Sequence, residues 1–336
     1  MLPGIRAIFR TPTLNTRSLP ALLLAFAIAA ALSCGSTPRA TDQPQQVTGN
    51  ATRTTPQEQA APGWTVVGNE LEITLATPDL GVGEQRFALV LSNQDGLIKL
   101  PVIEFTSYRY PDGYAGSRQG PFESKLARFT EFSFGTRGIH VTSLSFNATG
   151  EWGVETRVPR PDGSTATAEV RFRVEEHPRS IAVGEQAPPS RNRTISDVES
   201  VCELTTGSLV DESLYQTTIA DALSRQRPFV VVFASPAFCT NAVCGPQVEL
   251  VSDLHDRFGG KADFIHVDLY ENPHEIQGDL ASAVTSPLLA EWGLTSQEWT
   301  FVVSADGKVA ARFENFVGTS ELEQAINAVL ETSHNS

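Results

Sequence analysis

The sequence predicts a two-domain chain, in which an all-β domain precedes an α/β domain built on a central mixed sheet. Two patterns support this division. Residues 64–176 alternate apolar and polar side chains with a period of two, and turn residues interrupt the pattern at short intervals. Residues 204–332 alternate short apolar strands with segments in which apolar residues recur every three or four positions. The length of 336 residues is also typical of two domains rather than one.

The N-terminal segment has the organisation of an export signal. Arg6, Arg10 and Arg17, with no acidic residue among them, precede the apolar stretch Leu19–Leu32. That stretch has 14 residues, whereas a membrane-spanning helix needs ~20, so it is too short to cross a bilayer. We therefore expect residues 1–33 to be a signal peptide.

The apolar stretch ends in ALSCGS, which resembles a bacterial lipobox. In that motif a peptidase cuts before a cysteine that becomes lipid-modified, and the resemblance implies lipidation at Cys34. Ala31 departs from the motif, since leucine is usual three residues before the cysteine. The alternatives are an ordinary secreted protein with an incidental Cys34, or an uncleaved anchor.

Residues 34–63 are predicted to be a flexible tether, because they are polar and nearly free of large apolar side chains. We therefore expect the domains to lie at the extracytoplasmic face of the membrane, lipid-anchored or secreted, where disulfides persist. The formal charge of −14 argues against nucleic acid as a partner, since binding phosphates requires basic patches.

The first domain is expected to be an immunoglobulin-like sandwich, because about seven short strands follow one another without helical periodicity. His140 stands alone on one strand, and we expect a structural role for it. Residues 177–203 are rich in proline and polar residues and are predicted to link the two domains. The predicted strands are Leu71–Ala76, Arg86–Ser92, Leu97–Phe105, Ala127–Phe134, Ile139–Phe146, Glu151–Val158 and Ala166–Val174.

The second domain has the predicted order β-α-β-α-β-β-α, preceded by a helix over Thr217–Gln226. Cys239 and Cys244 lie between its first strand and the following helix, where unpaired N–H groups and the helix dipole stabilise a thiolate. The strands are Pro228–Ala234, Ala262–Leu269, Glu298–Val303 and Lys308–Phe313, and the helices are Ala242–Phe258, Pro273–Ala283, Pro287–Trp292 and Thr319–Leu330.

Three stretches of this domain resemble thioredoxins. VVVFASPAFC resembles the strand and loop before the thioredoxin nucleophile, FIHVDLYENP the second central strand, and SADGKVAARF the closing hairpin. The resemblance covers roughly residues 204–330 and implies a thioredoxin fold with Cys239 in the nucleophile's place. Cys244 could then resolve a mixed disulfide, with protein thiols or disulfides as partners.

The chain departs from the thioredoxin motif in several places. The cysteines are spaced C-x-x-x-x-C instead of C-x-x-C, and Ala242 occupies the usual partner position. Phe238 replaces the tryptophan before the nucleophile, and Phe233 replaces a buried acid that assists proton transfer. Glu298 and Trp299 stand where a cis-Pro-Thr pair is usual.

CTNAVCG also resembles the CTxxAC stretch of bacterioferritin-comigratory peroxiredoxins, which pair cysteines at this spacing. However, Pro236 replaces the threonine that activates peroxide, and Ser296–Thr300 lacks the arginine that completes that site. These replacements argue against peroxidase activity.

Three functions are compatible with this pattern. The first is a thiol–disulfide oxidoreductase that uses Cys239 and Cys244, and the second is a binding module in which that pair is a structural disulfide. The third is a copper chaperone of the Sco type, for which His255, His266 and His274 are the available histidines. We expect neither a cofactor nor a metal in the first two cases. Cys202 is either a spectator or a second resolving thiol.

Overall fold

The computed structural model describes residues 65–67, 71–132, 137–239 and 243–334. The predicted signal peptide, Cys34 and the predicted tether lie outside these ranges. All described residues belong to one compact unit. Within the described ranges, no helix is both long and apolar enough to cross a membrane.

The strands of the first half, here called the β region, form a single antiparallel sheet. The hydrogen-bonded order is β1-β9-β8-β5-β6-β7-β3-β2, with β4 attached to β3, and β2 also lies beside β1 and β9. The sheet therefore nearly closes on itself. Its strands are β1 Thr65–Val67, β2 Glu72–Leu75, β3 Gly83–Asn93, β4 Gly96–Leu97, β5 Val102–Tyr110, β6 Gln119–Glu131, β7 Gly138–Phe146, β8 Gly150–Pro159 and β9 Thr165–Val174.

This pairing does not divide the described strands into the two separate sheets of an immunoglobulin-like sandwich, so that assignment stays a prediction. Large inward-facing side chains fill the interior, and the Phe87 ring lies 5.2 Å from that of Phe172. The predicted strand Leu97–Phe105 is interrupted: β4 ends at Leu97 and β5 begins at Val102. Pro101 lies in the gap and has no N–H group to donate to a neighbouring strand.

Strand β6 begins eight residues before its predicted start at Ala127. Its first four residues are all exposed, so the apolar alternation that marks a strand in sequence is missing there. The sequence predicts a turn over Pro111–Gly120, but Gln119 and Gly120 belong to β6, which pairs with β5 as far as Gln119.

The second half, here called the α/β region, has the predicted order of strands and helices. Its sheet has the order β11-β10-β12-β13, with β10 parallel to β11 and antiparallel to β12. The elements are α1 Ile219–Ser224, β10 Phe229–Ala234, α2 Cys244–Phe258, β11 Asp263–Val267, α3 Pro273–Ile276, α4 Leu288–Glu291, β12 Glu298–Val303, β13 Val309–Glu314 and α5 Thr319–His334.

Helix α3 is shorter than the predicted Pro273–Ala283. Gln277 and Gly278 adopt the left-handed conformation, with φ of 44° and 89°, and this ends the helix after one turn. A short 3-10 turn follows at Leu280–Ser282.

The predicted linker is packed onto the α/β region. Gly184 N–H donates to Val309 O at 2.8 Å, and Val309 N–H donates to Glu185 O at 2.9 Å. Ala187 N–H in turn donates to Gly307 O at 2.9 Å. This segment therefore runs along the outer edge of β13 as part of the folded structure.

The β region packs directly on the α/β region through ion pairs that are largely buried. Arg86 on β3 donates through Nε to Glu321 Oε1 on α5 at 2.7 Å. Arg312 on β13 donates through Nη1 to Asp79 Oδ2 at 2.9 Å. The side chains of Arg86 and Arg312 are only 13% and 12% exposed, so both pairs are part of the contact between the two regions.

Candidate functional site

Cys239 and Cys244 form a disulfide at the turn between β10 and α2, with their Cα atoms 5.9 Å apart. Cys239 is partly exposed, whereas Cys244 is fully buried. Helix α2 begins at Cys244, two residues later than the predicted start at Ala242. The pair closes without unwinding the helix because Cys239 belongs to the preceding loop.

The two sulfur atoms have different surroundings. The backbone N–H of Cys244, at the start of α2, donates to Cys239 Sγ at 3.3 Å. Cys244 Sγ lies 3.6 Å from the backbone oxygen of Gln297. An N–H group at a helix start stabilises a thiolate, whereas a carbonyl oxygen can only accept a hydrogen bond, which a thiol donates and a thiolate cannot. After reduction, this geometry therefore favours a thiolate on Cys239 and a thiol on Cys244.

A network of hydrogen bonds holds the loop before Cys239. The six residues of β10 are all buried, and the fully buried Ser235 follows them. Thr206 Oγ1 lies 2.9 Å from Ser235 Oγ and accepts from Ala237 N–H at 3.2 Å. Thr206 also donates to Asp268 through N–H at 2.7 Å and through Oγ1 at 2.9 Å. Burial raises the pKa of Asp268 to about 6, against the lowering effect of these hydrogen bonds.

Two buried carboxyl groups lie on β12 and β13, and the sequence patterns did not single out either as a functional residue. Glu298, which appeared only as a departure from the family motif, is fully buried at the start of β12. Burial raises its pKa well above the ordinary value. Glu314 on β13 accepts from Ser296 Oγ at 2.8 Å and from Asp79 N–H at 2.9 Å. Burial raises the pKa of Glu314 to about 7.

The residues that stand where thioredoxins have other side chains are accommodated by packing. Phe233 is fully buried, and its ring lies 5.2 Å from that of Trp292 and 6.2 Å from that of Phe301. The Phe238 ring is partly exposed and lies 6.1 Å from that of Tyr270. In the described ranges the one cis peptide bond is Gly120–Pro121, so the bond before Glu298 is trans.

The three histidines considered for copper lie in other surroundings. His255 Nδ1 is 3.1 Å from Ser213 Oγ. His266 is buried between Tyr215 OH, 2.6 Å from Nδ1, and a backbone oxygen 2.9 Å from Nε2, and burial lowers its pKa to about 4. His274 lines a surface depression together with Cys202. Among the described residues, no group of three or more His, Cys, Asp or Glu side chains could hold a metal.

The β region contributes directly to the surroundings of the disulfide. Cys239 packs against a small apolar cluster that spans both regions, and an apolar cleft of about 610 Å³ opens beside Val243 and Gln297. The cluster consists of Ala76, Ala88, Ile139, Val243 and Phe316. Such a contact depends on how the two halves pack, and the sequence patterns do not reveal it.

No family model matches the chain, and no curated protein matches it either. Part of the chain is similar to solved structures. A candidate thiol:disulfide interchange protein DsbE from Chlorobium tepidum is 15% identical, with 45% of this chain and 99% of that chain covered and a TM-score of 0.33. A DsbF homologue from Corynebacterium diphtheriae is 16% identical, with 33% and 76% covered and a TM-score of 0.28. A thioredoxin family protein from Chlorobium tepidum is 12% identical, with 35% and 90% covered and a TM-score of 0.28.

Proposed function

We propose that the protein is a thiol–disulfide oxidoreductase with Cys239 as nucleophile and Cys244 as resolving residue. The observation that carries this proposal is the asymmetry of the pair. Cys239 is partly exposed and receives the N–H of Cys244 at 3.3 Å, whereas Cys244 is fully buried. An accessible, stabilised thiolate beside a shielded thiol is the arrangement that stepwise disulfide exchange requires.

In the reduced protein, the Cys239 thiolate attacks one sulfur of a substrate disulfide. A mixed disulfide forms, and the other substrate sulfur leaves as a thiolate. Cys244 then loses its proton and attacks Cys239 Sγ, which releases the second substrate sulfur and restores the Cys239–Cys244 disulfide. Two electrons pass to the substrate. The reverse sequence oxidises a substrate dithiol.

We also propose that a lipid anchors the protein at the extracytoplasmic face of the membrane. The signal-like residues 1–33 and the lipobox-like Cys34 support a lipid anchor at the extracytoplasmic face, with a β domain over 64–176 and a thioredoxin-like domain over 204–332. A disulfide persists in that oxidising compartment. Metabolic labelling with a fatty acid tests the anchor: label is expected on the wild-type chain and should be lost in Cys34→Ser. Equal labelling of both chains would overturn this part.

One observation favours a second candidate function. Cys239 packs against the apolar cluster between the two regions, as a structural disulfide in a binding module would. Such a disulfide would be reduced only when the surrounding structure opens. The rate of its reduction in the folded protein therefore distinguishes the two candidates.

The decisive experiment uses Cys244→Ser and Cys239→Ser as matched variants, with oxidised glutathione as the probe and intact mass as the readout. The first variant should accumulate glutathione on Cys239, because no resolving thiol remains. The second should react at least about tenfold more slowly, since Cys244 is buried. If neither folded variant forms an adduct and the wild-type disulfide yields to dithiothreitol only under denaturing conditions, the pair is structural.

A further inference from the structure

A buried carboxyl group lies on the sheet face behind the disulfide. Glu298 directly follows Gln297, whose carbonyl oxygen is 3.6 Å from Cys244 Sγ. Glu298 pairs across the strands with Ala234, and directly paired residues project from the same face of a sheet. Ala234 packs in the same core cluster as Cys244. The Glu298 side chain therefore projects into the layer that α2 occupies.

Only one of the two carboxyl oxygens of Glu298 has a hydrogen-bond partner among the described residues. Its Oε1 accepts from Thr300 Oγ1 at 3.1 Å, while Oε2 is buried with no hydrogen-bond partner in the described protein. Burial raises the pKa of this carboxyl well above its ordinary value, because desolvation disfavours the charged form. A protonated carboxyl is a donor as well as an acceptor.

Arg86 of the β region lies close enough to Glu298 for its charge to act on the carboxyl. Its Nε and Nη2 bind Glu321, and Nη2 also donates to Phe316 O at 2.9 Å. Its Nη1 is buried and has no partner in the described part of the chain. The charge of Arg86 favours ionisation of Glu298, while the charge of Glu314 opposes it.

A third buried polar side chain lies in the same layer. Gln247 lies one turn after Cys244 on α2 and is fully buried. Its Oε1 accepts from Val317 N–H at 3.2 Å, next to the residue that Arg86 contacts, and its Nε2 has no partner among the described residues. Unpartnered buried polar atoms are rare in native proteins and call for an explanation.

We propose that Arg86 is a positioning residue of the redox site and acts on the disulfide through Glu298. This inference rests on the proposed function. When a substrate thiolate attacks Cys239, the Cys239–Cys244 bond breaks and its electron pair leaves on Cys244 Sγ. Glu298 gives its proton to that sulfur and becomes a carboxylate, whose new charge the Arg86 guanidinium stabilises. In the opposite direction the proton returns to Glu298 as Cys244 attacks.

The groups around Glu298 act with different signs. Arg86 on β3 favours the carboxylate, Glu314 on β13 disfavours it, and Cys244 on α2 exchanges the proton. Glu321 on α5 forms the ion pair with Arg86 and so fixes the position of the guanidinium. Because Arg86 belongs to the β region, that region sets the proton affinity of the redox site.

The test measures how the rate of disulfide reduction by dithiothreitol in the full chain depends on pH. In this pH profile, one step should reflect the ionisation of Glu298. Arg86→Gln should raise the midpoint of that step by about one pH unit, because the Glu298 carboxylate loses the positive charge that stabilises it. Arg86→Lys retains the charge and should shift the midpoint less. Arg312→Gln is the control, since it breaks another ion pair between the same two regions, its arginine is buried to the same extent, and its charge acts on Glu314 and not directly on Glu298.

A double-mutant cycle separates this role from a structural one. Glu298→Gln should remove the ionisation, and Arg86→Gln should then have no further effect on the profile. The proposal fails if Arg86→Gln shifts the profile equally with and without Glu298, or if Arg312→Gln shifts it as much. Infrared difference spectra of the wild-type protein give a second readout. Reduction at a pH below the midpoint, where Glu298 carries its proton, should transiently remove a protonated-carboxyl band that is absent from Glu298→Gln, and a band that never changes would refute the proton step.

Different results would disprove the oxidoreductase function and the role of Arg86. If the wild-type chain exchanges no disulfide with glutathione, the proposed function itself is wrong. If it exchanges normally and Arg86→Gln has the wild-type pH profile, only the role of Arg86 is wrong.

Discussion

The backbone N–H of Cys244 lies 3.3 Å from Cys239 Sγ and donates a hydrogen bond to it. The first N–H groups of a helix have no partner within the helix, so this donor is available to a sulfur in the preceding loop. The more exposed of the two sulfur atoms thus receives the stabilising contact. The difference leads to a prediction about the order in which the two cysteines react.

After mild reduction, iodoacetamide should modify Cys239 at least about tenfold faster than Cys244, because thiolate character and access both favour Cys239. Peptide mapping by mass spectrometry at short reaction times measures the two rates. In urea the rates should converge, which controls for intrinsic reactivity. Preferential modification of Cys244 in the folded protein would contradict the assignment of roles.

Glu314 should make the protein less stable as pH rises. Its folded pKa is raised from 4.5 to about 7, so the folded state holds this proton more tightly than the unfolded chain does. The resulting stabilisation is fully present below pH 4.5 and is lost as pH rises through about 7. The expected loss is about 1–3 kcal/mol in the free energy of unfolding, measured in urea.

Glu314→Gln should flatten this part of the pH profile, because a glutamine can accept from Asp79 N–H and donate to Ser296 Oγ without titrating. Glu131→Gln removes an exposed carboxyl and serves as the control, with the wild-type slope expected. If Glu314→Gln keeps that slope, the ionisation of Glu314 is not its source.

The buried His266 should make the protein less stable as pH falls, the opposite of the effect of Glu314. Because a backbone carbonyl only accepts, Nε2 carries the hydrogen that binds Ala234 O, and Nδ1 accepts from Tyr215 OH. Burial lowers the His266 pKa from 6.5 to about 4, so its contribution is fully present above pH 6.5 and is lost as pH falls through about 4.

Tyr215→Phe should therefore cost about 1–3 kcal/mol in the free energy of unfolding near neutral pH, since it leaves a buried acceptor unpaired. Urea denaturation measures the cost. Tyr270→Phe, a change at a partly exposed tyrosine, is the control and should cost less. Equal costs would mean that the hydrogen bond to His266 contributes nothing.

Gly293 tests whether the predicted linker is held in place. Its φ is +66°, and a Cβ atom there would lie 2.0 Å from Arg179 O. Gly293→Ala should destabilise the protein by at least about 2 kcal/mol, because the backbone of one segment or the other must move. Gly260→Ala, where a Cβ meets no atom within 4 Å, should have little effect. Similar melting temperatures for both variants would mean that residues 177–203 are not held against α4.

The sequence was most informative where the structure is determined locally. Strand β12 has the predicted bounds, and the cysteine pair stands at the predicted turn, because apolar runs and helix periodicity are properties of neighbouring residues. Strand β6 was predicted too short, since its exposed first half carries no apolar alternation. Helix α3 was predicted too long, since its end depends on the left-handed conformation of Gln277.

The parts that escaped prediction depend on packing between distant segments. Nothing near Glu298 in the sequence indicates that it is fully buried or that the charge of Arg86 acts on it. Those facts follow from the contact of Arg86 on β3 with α5 and from the packing of α5 over β12. Buried polar residues are therefore the features for which a pattern of apolar spacing gives no signal.

The segment that runs along β13 has one further consequence. The outermost strand of an open sheet presents unpaired N–H and C=O groups, which invite another chain to add a strand. The Gly184–Ala187 backbone forms hydrogen bonds with Gly307 and Val309, so the backbone groups at the start of that edge are not available to another chain. The segment that connects the two halves thus also protects the edge strand from pairing with other chains. Cleavage within this segment would expose an edge to which a strand from another copy could add.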